Sequence, residues 1–439
     1  MAEKWLVVGS GVGGAFIGLR GVQAGHDVTI LESSSRLGGL TRTDTFQVNG
    51  KQVSVDRFYH VILESDRRLL TLLDSLELAQ TVRWTSAPTQ IVSAGIGYPA
   101  SSLGEMARLP ALKMTDRIRI AMSIAVTLGL PIPVAHRFTA SRWLGFAAGR
   151  SALRAFWTPI LRAKLGTQAD AVAASFMVST FRRLVQARLR GAGDRFGVLP
   201  HGYEPVFEAI ADRIRGAGGT IRTNAGVQSV TAEIGRGSAP LVTCTLPDGE
   251  TLTADRVFVT APGPTTSALL PQLSSEERHR LTAAPYLGVV CATVLLRQPP
   301  NDAYITYLVD DLGLTGVIGM HALVPPEQTA GAALVYLPRY CAPNDPWFDE
   351  TDEVLQERFI DRLAQAFPEQ QFTVLVAAVN RARYVVPLPL PDAPGPLPHT
   401  TSIPGVHVVS AVQNTTGTLN VETTLALASQ ALAEIKGAR

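Results

Sequence analysis

Apolar and polar positions fall into short blocks that predict strands, helices and the turns between them. Trp5–Val8 is an apolar run of the kind expected for a buried parallel strand. A glycine cluster follows, and Ala15–Ala24 then reads as a helix that Gly25 ends. Asp27–Leu31 predicts a second strand, closing on Glu32. A second block runs from Gly197 to Val230. Its turn, Gly197 to Tyr203, leads into an amphipathic helix over Glu204–Arg215, which Gly216–Gly219 stops. Strands are expected at Thr220–Thr223 and Ala225–Val230, with a hairpin turn at Pro247-Asp248-Gly249. Near the C-terminus, Gly405–Ser410 predicts a strand and Asn420 an N-cap for a helix running to about Lys436. The Pro-rich stretch Pro387–Pro404 predicts a surface connection. Ile120–Ala135 is the longest uncharged apolar run. It is shorter than the ~20 residues that span a bilayer, and Pro131 and Pro133 break its end. It predicts a buried helix and a turn; the other reading is an apolar surface that dips into a membrane or admits a lipid-like substrate.

The glycines after the first strand carry chemistry. Gly9-Ser10-Gly11-Val12-Gly13-Gly14 spells GxGxxG through Gly9, Gly11 and Gly14. Gly9 permits the tight turn, Gly11 lets a pyrophosphate approach the backbone, and Gly14 lets helix and strand pack closely. The helix N-terminus adds free N–H groups and a positive dipole end. Glu32, eighteen residues past Gly14, is placed to accept hydrogen bonds from ribose hydroxyls, and its charge would repel a ribose phosphate. Strand, helix and terminal acid in register predict a dinucleotide site that disfavours NADP.

The following residues, Glu32-Ser33-Ser34-Ser35-Arg36-Leu37-Gly38-Gly39-Leu40-Thr41, spell ExxxRxGG. This resembles the signature of the flavoprotein superfamily of amine oxidases, phytoene desaturases and protoporphyrinogen oxidases. Gly38 and Gly39 allow close backbone passage along a cofactor, and Arg36 can offer charge to a phosphate. The resemblance implies an α/β fold: a Rossmann-like FAD-binding domain of glutathione-reductase type, discontinuous in sequence, with a mixed α+β substrate domain. It assigns 1–85, 197–269 and 399–439 to the first and 86–196 and 270–398 to the second. It implies non-covalently bound FAD, since no cysteine follows Cys341. It makes Thr253–Pro262 the closing strand of the second block, places Val227 at the adenine end through its backbone, and sets Asn414 and Val421, around the start of the last helix, beside the flavin ring, where the family's glycine-rich turn is reduced to Gly417.

The resemblance also supplies two catalytic candidates. His60, in Val55-Asp56-Arg57-Phe58-Tyr59-His60, lies where the superfamily chain runs along the flavin into the substrate cavity, and the stretch faintly resembles UDP-galactopyranose mutases. His60 can shuttle a proton or bond the flavin; the alternative is a structural histidine. Tyr384 lies where the superfamily often places an aromatic near the ring. Many amine oxidases keep a lysine near the flavin, but none of the five lysines here falls within Tyr286–Arg297. The implied enzyme is an FAD-dependent dehydrogenase, desaturase or oxidase taking hydride from a largely apolar small molecule such as an isoprenoid or tetrapyrrole. A redox-neutral isomerase of the mutase type and a flavin-binding protein without turnover are the alternatives.

Composition narrows the partners. Of 439 residues 46% are apolar and only 17% charged, which excludes a charge-solvated disordered chain. A net charge of +2 argues against a nucleic-acid binder. Charge is nevertheless unevenly spread. Arg137–Arg195 holds eleven Lys and Arg against Asp170 and Asp194, so that segment carries +9 and the rest of the chain −7. Aromatics are interleaved there, including Phe146, Phe156, Trp157 and Phe176. A basic rim facing an anionic substrate or peripheral membrane surface is expected, with solvated arginine-rich helices as the alternative. Cys244, Cys291 and Cys341 are odd in number and far apart, and no metal-binding cluster is visible. With no signal pattern at Met1–Gly11, a cytoplasmic, possibly membrane-associated location is expected.

Overall fold

The computed structural model describes residues 2–101, 105, 112–189, 195–233, 241–310, 312–414 and 420–437. Asp194 and Gly417, singled out above, and Arg190, one of the eleven basic residues of Arg137–Arg195, lie outside the described residues.

Five parallel strands form the first sheet, in the order Val406–Val408, Arg256–Val259, Lys4–Val8, Asp27–Leu31, Thr220–Arg222. Successive side chains point to opposite faces. Trp5 and Val7 face a layer of helices, Val12–Gln23, Arg67–Ser75, Glu204–Gly216 and Val421–Gly437, while Leu6 and Val8 face the opposite side. That side is covered by an antiparallel meander, Ser229–Glu233, Leu241–Thr245 and Thr251–Ala254. Two-sided burial is why the central strand is an apolar run rather than an alternating one. The expected strand Thr253–Pro262 is two strands, the last of the meander and Arg256–Val259 of the parallel sheet, joined at Asp255. The chain changes layer there.

A seven-stranded mixed sheet forms the second layer system, in the order Val374–Pro387, Tyr286–Leu296, Ala333–Cys341, Val317–Gly319, Ile305–Leu308, Thr89–Ser93, Ile96–Pro99. Tyr286–Leu296 is buried along its whole length. Val290, Ala292 and Val294 pack towards helix Asp352–Ala366. Val289, Cys291 and Leu295 face the hairpin Thr43–Val48 and Lys51–Asp56. A helical unit, with Met114–Gly129, Ala140–Ala152 and Ala174–Leu189 as its main helices, packs on Leu287 and Leu388.

Two expectations change here. Phe156, Trp157 and Phe176, interleaved with the basic residues, are core residues of the helical unit and offer no stacking surface; Phe146 alone of the four is exposed. Pro387–Pro404 is not merely a surface connection, because Leu388, Leu397, His399 and Ile403 are buried. The three cysteines are free and buried.

His407 ties the edge strand to its neighbour. It is buried, stacks on Phe258 at 5.2 Å and lies 3.2 Å from Arg256 Nη1. Burial, then the Arg256 charge, lowers its pKa to about 4. An unfolded histidine titrates near ~6.5, so between these values the unfolded chain takes up a proton that the folded chain refuses. Stability should therefore fall as pH drops from about 6.5 towards about 4. Urea midpoints measured across this window should show the fall, and His407→Gln should flatten it.

Candidate functional site

Parallel strands bring their carboxyl ends to one edge, where loops converge. At the end of Lys4–Val8 the chain turns at Gly9, whose φ is +98°. A Cβ on Gly9 would lie 2.7 Å from Thr260 Oγ1, and one on Gly14 only 1.9 Å from the Gly9 carbonyl oxygen. Thr260 Oγ1 itself donates to the Val8 carbonyl at 2.9 Å. Gly11 is different, because a Cβ there would meet nothing within 4 Å. The turn is thus closed towards the protein at Gly9 and Gly14 and open outwards at Gly11. The first-turn N–H groups of Val12, Gly13 and Gly14 have no intrahelical acceptors and carry the positive dipole end.

The last helix begins beside this turn. A Cβ on Gly13 would lie 3.3 Å from Thr424 Cγ2. Asn420 is the N-cap, its side-chain oxygen accepting from Thr423 N at 2.7 Å. Val421 is buried in the first turn of this helix. Glu422 accepts from Leu69 N at 3.0 Å and Arg68 Nη1 at 3.1 Å, anchoring that turn to helix Arg67–Ser75. Asn414 closes the short helical turn Ala411–Gln413, its N–H donating to the Ala411 carbonyl at 3.0 Å.

Glu32 organises the other side. Its Oε2 accepts from Ser10 N at 2.9 Å and Ser10 Oγ at 2.6 Å. Its Oε1 accepts from Ser34 N at 2.8 Å, Ser34 Oγ at 2.6 Å and Ser33 Oγ at 3.3 Å. Burial opposes ionisation, but the bonds from Ser10 and Ser34 outweigh it and hold the carboxyl below its usual range. The carboxylate therefore ties the glycine turn to the Ser33-Ser34 loop, a role that the sequence pattern did not disclose. Ala225 N donates to the Glu32 carbonyl at 2.8 Å, which brings the segment containing Val227 alongside. Gly38 and Gly39 have positive φ, and Gly38 N donates to the Ser10 carbonyl at 3.1 Å. Leu40 and Thr41 complete the turn Gly39–Thr41, with Thr41 Oγ1 donating to the Gly38 carbonyl at 2.8 Å. Arg36 is exposed and lies 3.6 Å from Glu204, directed at a carboxylate of the protein itself.

His60 lies elsewhere. It lines a cavity between the hairpin, the turn before helix Glu204–Gly216 and the large sheet, with Asp56, Tyr203, Met320, Gln328 and Tyr336 among the walls. Asp56 accepts from Tyr203 N at 3.0 Å, and a Cβ on Gly202 would lie 2.1 Å from Asp56 Oδ1. The His60 ring sits edge-on to Tyr203, and His60 Nδ1 is 3.7 Å from Asp56 Oδ2. His60 Nδ1 and Tyr203 Oη are buried without a hydrogen-bond partner among the described residues. Two such atoms in one cavity leave room for a polar group of a ligand. Burial raises the phenols of Tyr59, Tyr203 and Tyr336 well above their ordinary pKa, keeping them neutral donors. Tyr384 is not among these walls; it packs edge-on against Tyr286, whose hydroxyl accepts from Gly263 N at 2.9 Å. The two catalytic candidates are therefore not brought into one cavity.

Glu32→Gln should lower stability at neutral pH by about 1–3 kcal/mol, because charge-assisted bonds are lost. A depressed carboxyl pKa stabilises above the ordinary carboxylate range and ceases to do so as pH falls through the folded value. The melting-temperature gap between wild type and variant should accordingly close on acidification below about pH 4.

Comparison with known proteins accords with this geometry. The family model "Flavin containing amine oxidoreductase" matches residues 19–414. The chain is 22% identical to the zeta-carotene desaturase of Synechocystis sp., with 82% of each chain covered. It superposes with a TM-score of 0.75 on a protein from Exiguobacterium sp. 255-15 described as a protoporphyrinogen oxidase, at 16% identity and full coverage of both. A reduced UDP-galactopyranose mutase gives a TM-score of 0.75 at 13% identity, covering 100% of this chain and 96% of the other.

Proposed function

The chain belongs to the family of flavin-containing amine oxidoreductases, and on that premise we propose that it is an enzyme that holds FAD non-covalently and removes hydride from a largely apolar substrate such as an isoprenoid or tetrapyrrole. The observation that carries this reading is the open side of Gly11, set between two helix N-terminal turns at the carboxyl edge of a parallel sheet. That cradle fits a dinucleotide. In this reading Gly9 to Gly14, through their backbone, hold the pyrophosphate. Glu32 and Ser33 meet the ribose once the serine bonds yield, and Val227 borders the adenine. Gly38, Gly39, Leu40 and Thr41 line the path to the ring, and Asn414 and Val421 flank it, the helix dipole favouring negative charge there.

FAD, when bound, supplies the two-electron acceptor. The protein orients the substrate and keeps water out. In this reading His60 Nδ1, without a hydrogen-bond partner among the described residues, holds a proton or a polar substrate group, and the neutral Tyr203 hydroxyl donates beside it. Tyr384, on the large sheet and packed against Tyr286, stands apart from His60 in this reading. No lysine lies within Tyr286–Arg297, where the resemblance would place one, which weakens an amine oxidase reading. The segments 1–85, 197–269 and 399–439 form the cofactor side, and 86–196 and 270–398 the substrate side.

Gly11→Ala separates cofactor binding from folding. Its Cβ touches no protein atom, so thermal stability without cofactor should be unchanged, while FAD affinity measured by flavin fluorescence should drop roughly tenfold or more. Equal affinity would count against this cradle. Anaerobic mixing with candidate polyenes and porphyrinogens should bleach the flavin absorbance. Turnover seen only after prior chemical reduction would identify the redox-neutral isomerase instead.

A further inference from the structure

The cavity walled by His60 and Tyr203 is selective in its polar chemistry. Two buried polar atoms line it, His60 Nδ1 and Tyr203 Oη, and neither has a hydrogen-bond partner among the described residues. The nearest acid to His60 Nδ1 is Asp56, whose Oδ2 lies 3.7 Å away, beyond hydrogen-bond reach. The other Asp56 oxygen is already taken by Tyr203 N. Burial, and then the charges of Asp56 and Asp66, raises the Tyr203 phenol well above its ordinary pKa, so its hydroxyl stays a neutral donor. A buried donor left without an acceptor costs stability until a ligand group or water answers it. The cavity has a volume of about 40 Å³, room for a hydroxymethyl-sized end and too little for a ring system.

Charge decides which group that is. The described walls include Asp56 but no lysine or arginine, and none of the basic residues of Arg137–Arg195 is among them. His201, the other histidine of the wall, is exposed, so water screens any charge it carries. A carboxylate or phosphate would thus face Asp56 with no fixed cation to offset the repulsion. An ammonium group has donors only and would leave the Tyr203 proton without an acceptor. A hydroxyl accepts from Tyr203 and can either donate to His60 Nδ1 or accept from it, so it serves both imidazole tautomers. Beside these polar atoms the wall is apolar. Val198, Met320 and Leu334 are buried there and belong to the cluster on the inner face of the large sheet.

We propose that this cavity selects the hydroxyl end of an amphipathic substrate, with Tyr203 Oη donating to that hydroxyl, His60 Nδ1 as its second partner, and the apolar body lying along Val198, Met320 and Leu334. The proposal rests on the flavoenzyme reading above and narrows its substrate class: an isoprenoid alcohol fits, whereas a carboxylated tetrapyrrole and a pure hydrocarbon do not. A site built to bond a hydroxyl rejects the analogue that lacks it, because its own buried polar groups are then left unpaired.

Isothermal titration calorimetry of the full-length, FAD-loaded protein at about pH 8 with farnesol, farnesene, farnesoic acid and farnesylamine tests this. Farnesol should bind roughly tenfold or more tighter than each of the other three. Tyr203→Phe keeps the ring and removes the hydroxyl. It should bring farnesol to the level of farnesene, leave the farnesene affinity unchanged, and keep the far-ultraviolet circular dichroism of wild type. His60→Phe should lower the farnesol preference from the other side of the cavity. Farnesene, the acid or the amine binding as tightly as farnesol overturns the proposal, and so does an absence of binding by all four. A farnesol preference that survives in both variants also overturns it, because water alone then answers the two atoms. No residue of the glycine cradle is among the described walls, so the ranking should persist in protein stripped of FAD. A chain that takes no FAD yet ranks the probes in this way sinks the flavoenzyme reading and keeps the hydroxyl site; one that takes FAD without that ranking does the opposite.

Discussion

Gly14 approaches the Gly9 carbonyl more closely than any residue with a side chain could, and the geometry around it depends on that approach. It presses the first helix onto the first strand and leaves the helix N-terminus beside the strand's carboxyl end. The next glycine of the trio is then turned outwards with space above it. A second glycine admits the last helix, which lies against Gly13 through Thr424 and is held there by Glu422 on Leu69 and Arg68. Two segments separated by about four hundred residues of chain meet at Gly13, where the missing Cβ leaves room for Thr424.

The carboxylate of Glu32 completes this unit in a way that spacing alone would not suggest. Five donors from Ser10, Ser33 and Ser34 surround it. A buried carboxylate must be satisfied, and here the protein's own hydroxyl and amide groups do so. A ribose would therefore replace existing bonds rather than fill an empty acceptor, which makes the net gain smaller than the number of bonds formed. The serines that follow Glu32 hold their loop against its carboxylate.

The second cavity rests on a different principle. The hairpin, the turn at Gly202-Tyr203 and the inner face of the large sheet converge on Asp56, which accepts from one backbone amide and sits against Gly202. Tyr336 donates to the Asp56 carbonyl from the sheet. Asp56 thus locks three layers together, and His60, four residues on, is carried to the cavity wall with its Nδ1 3.7 Å from Asp56 Oδ2. An aspartate in the stretch Val55–His60 gave no sign in sequence of this role, because its partners come from Tyr203 and Tyr336.

The glycine motif, the two strands flanking it, helix Glu204–Gly216, the Pro247-Asp248-Gly249 turn and the Asn420 cap could be read from the chain, because each depends on contacts within a few residues or on backbone freedom that only glycine provides. The layer change at Asp255, the burial of Leu397 and Ile403 and the separation of Tyr384 from His60 could not, because they depend on which distant surfaces meet. The basic segment shows the division most clearly. Sequence alone determined its charge and its interleaved aromatics. Tertiary packing decided that Phe156, Trp157 and Phe176 enter the core while Phe146, Met114, Ile118, Met122 and Val126 face outwards. Periodicity reports that a helix has an apolar side, but a helix apolar on most of its circumference is oriented only by the neighbours that cover part of it.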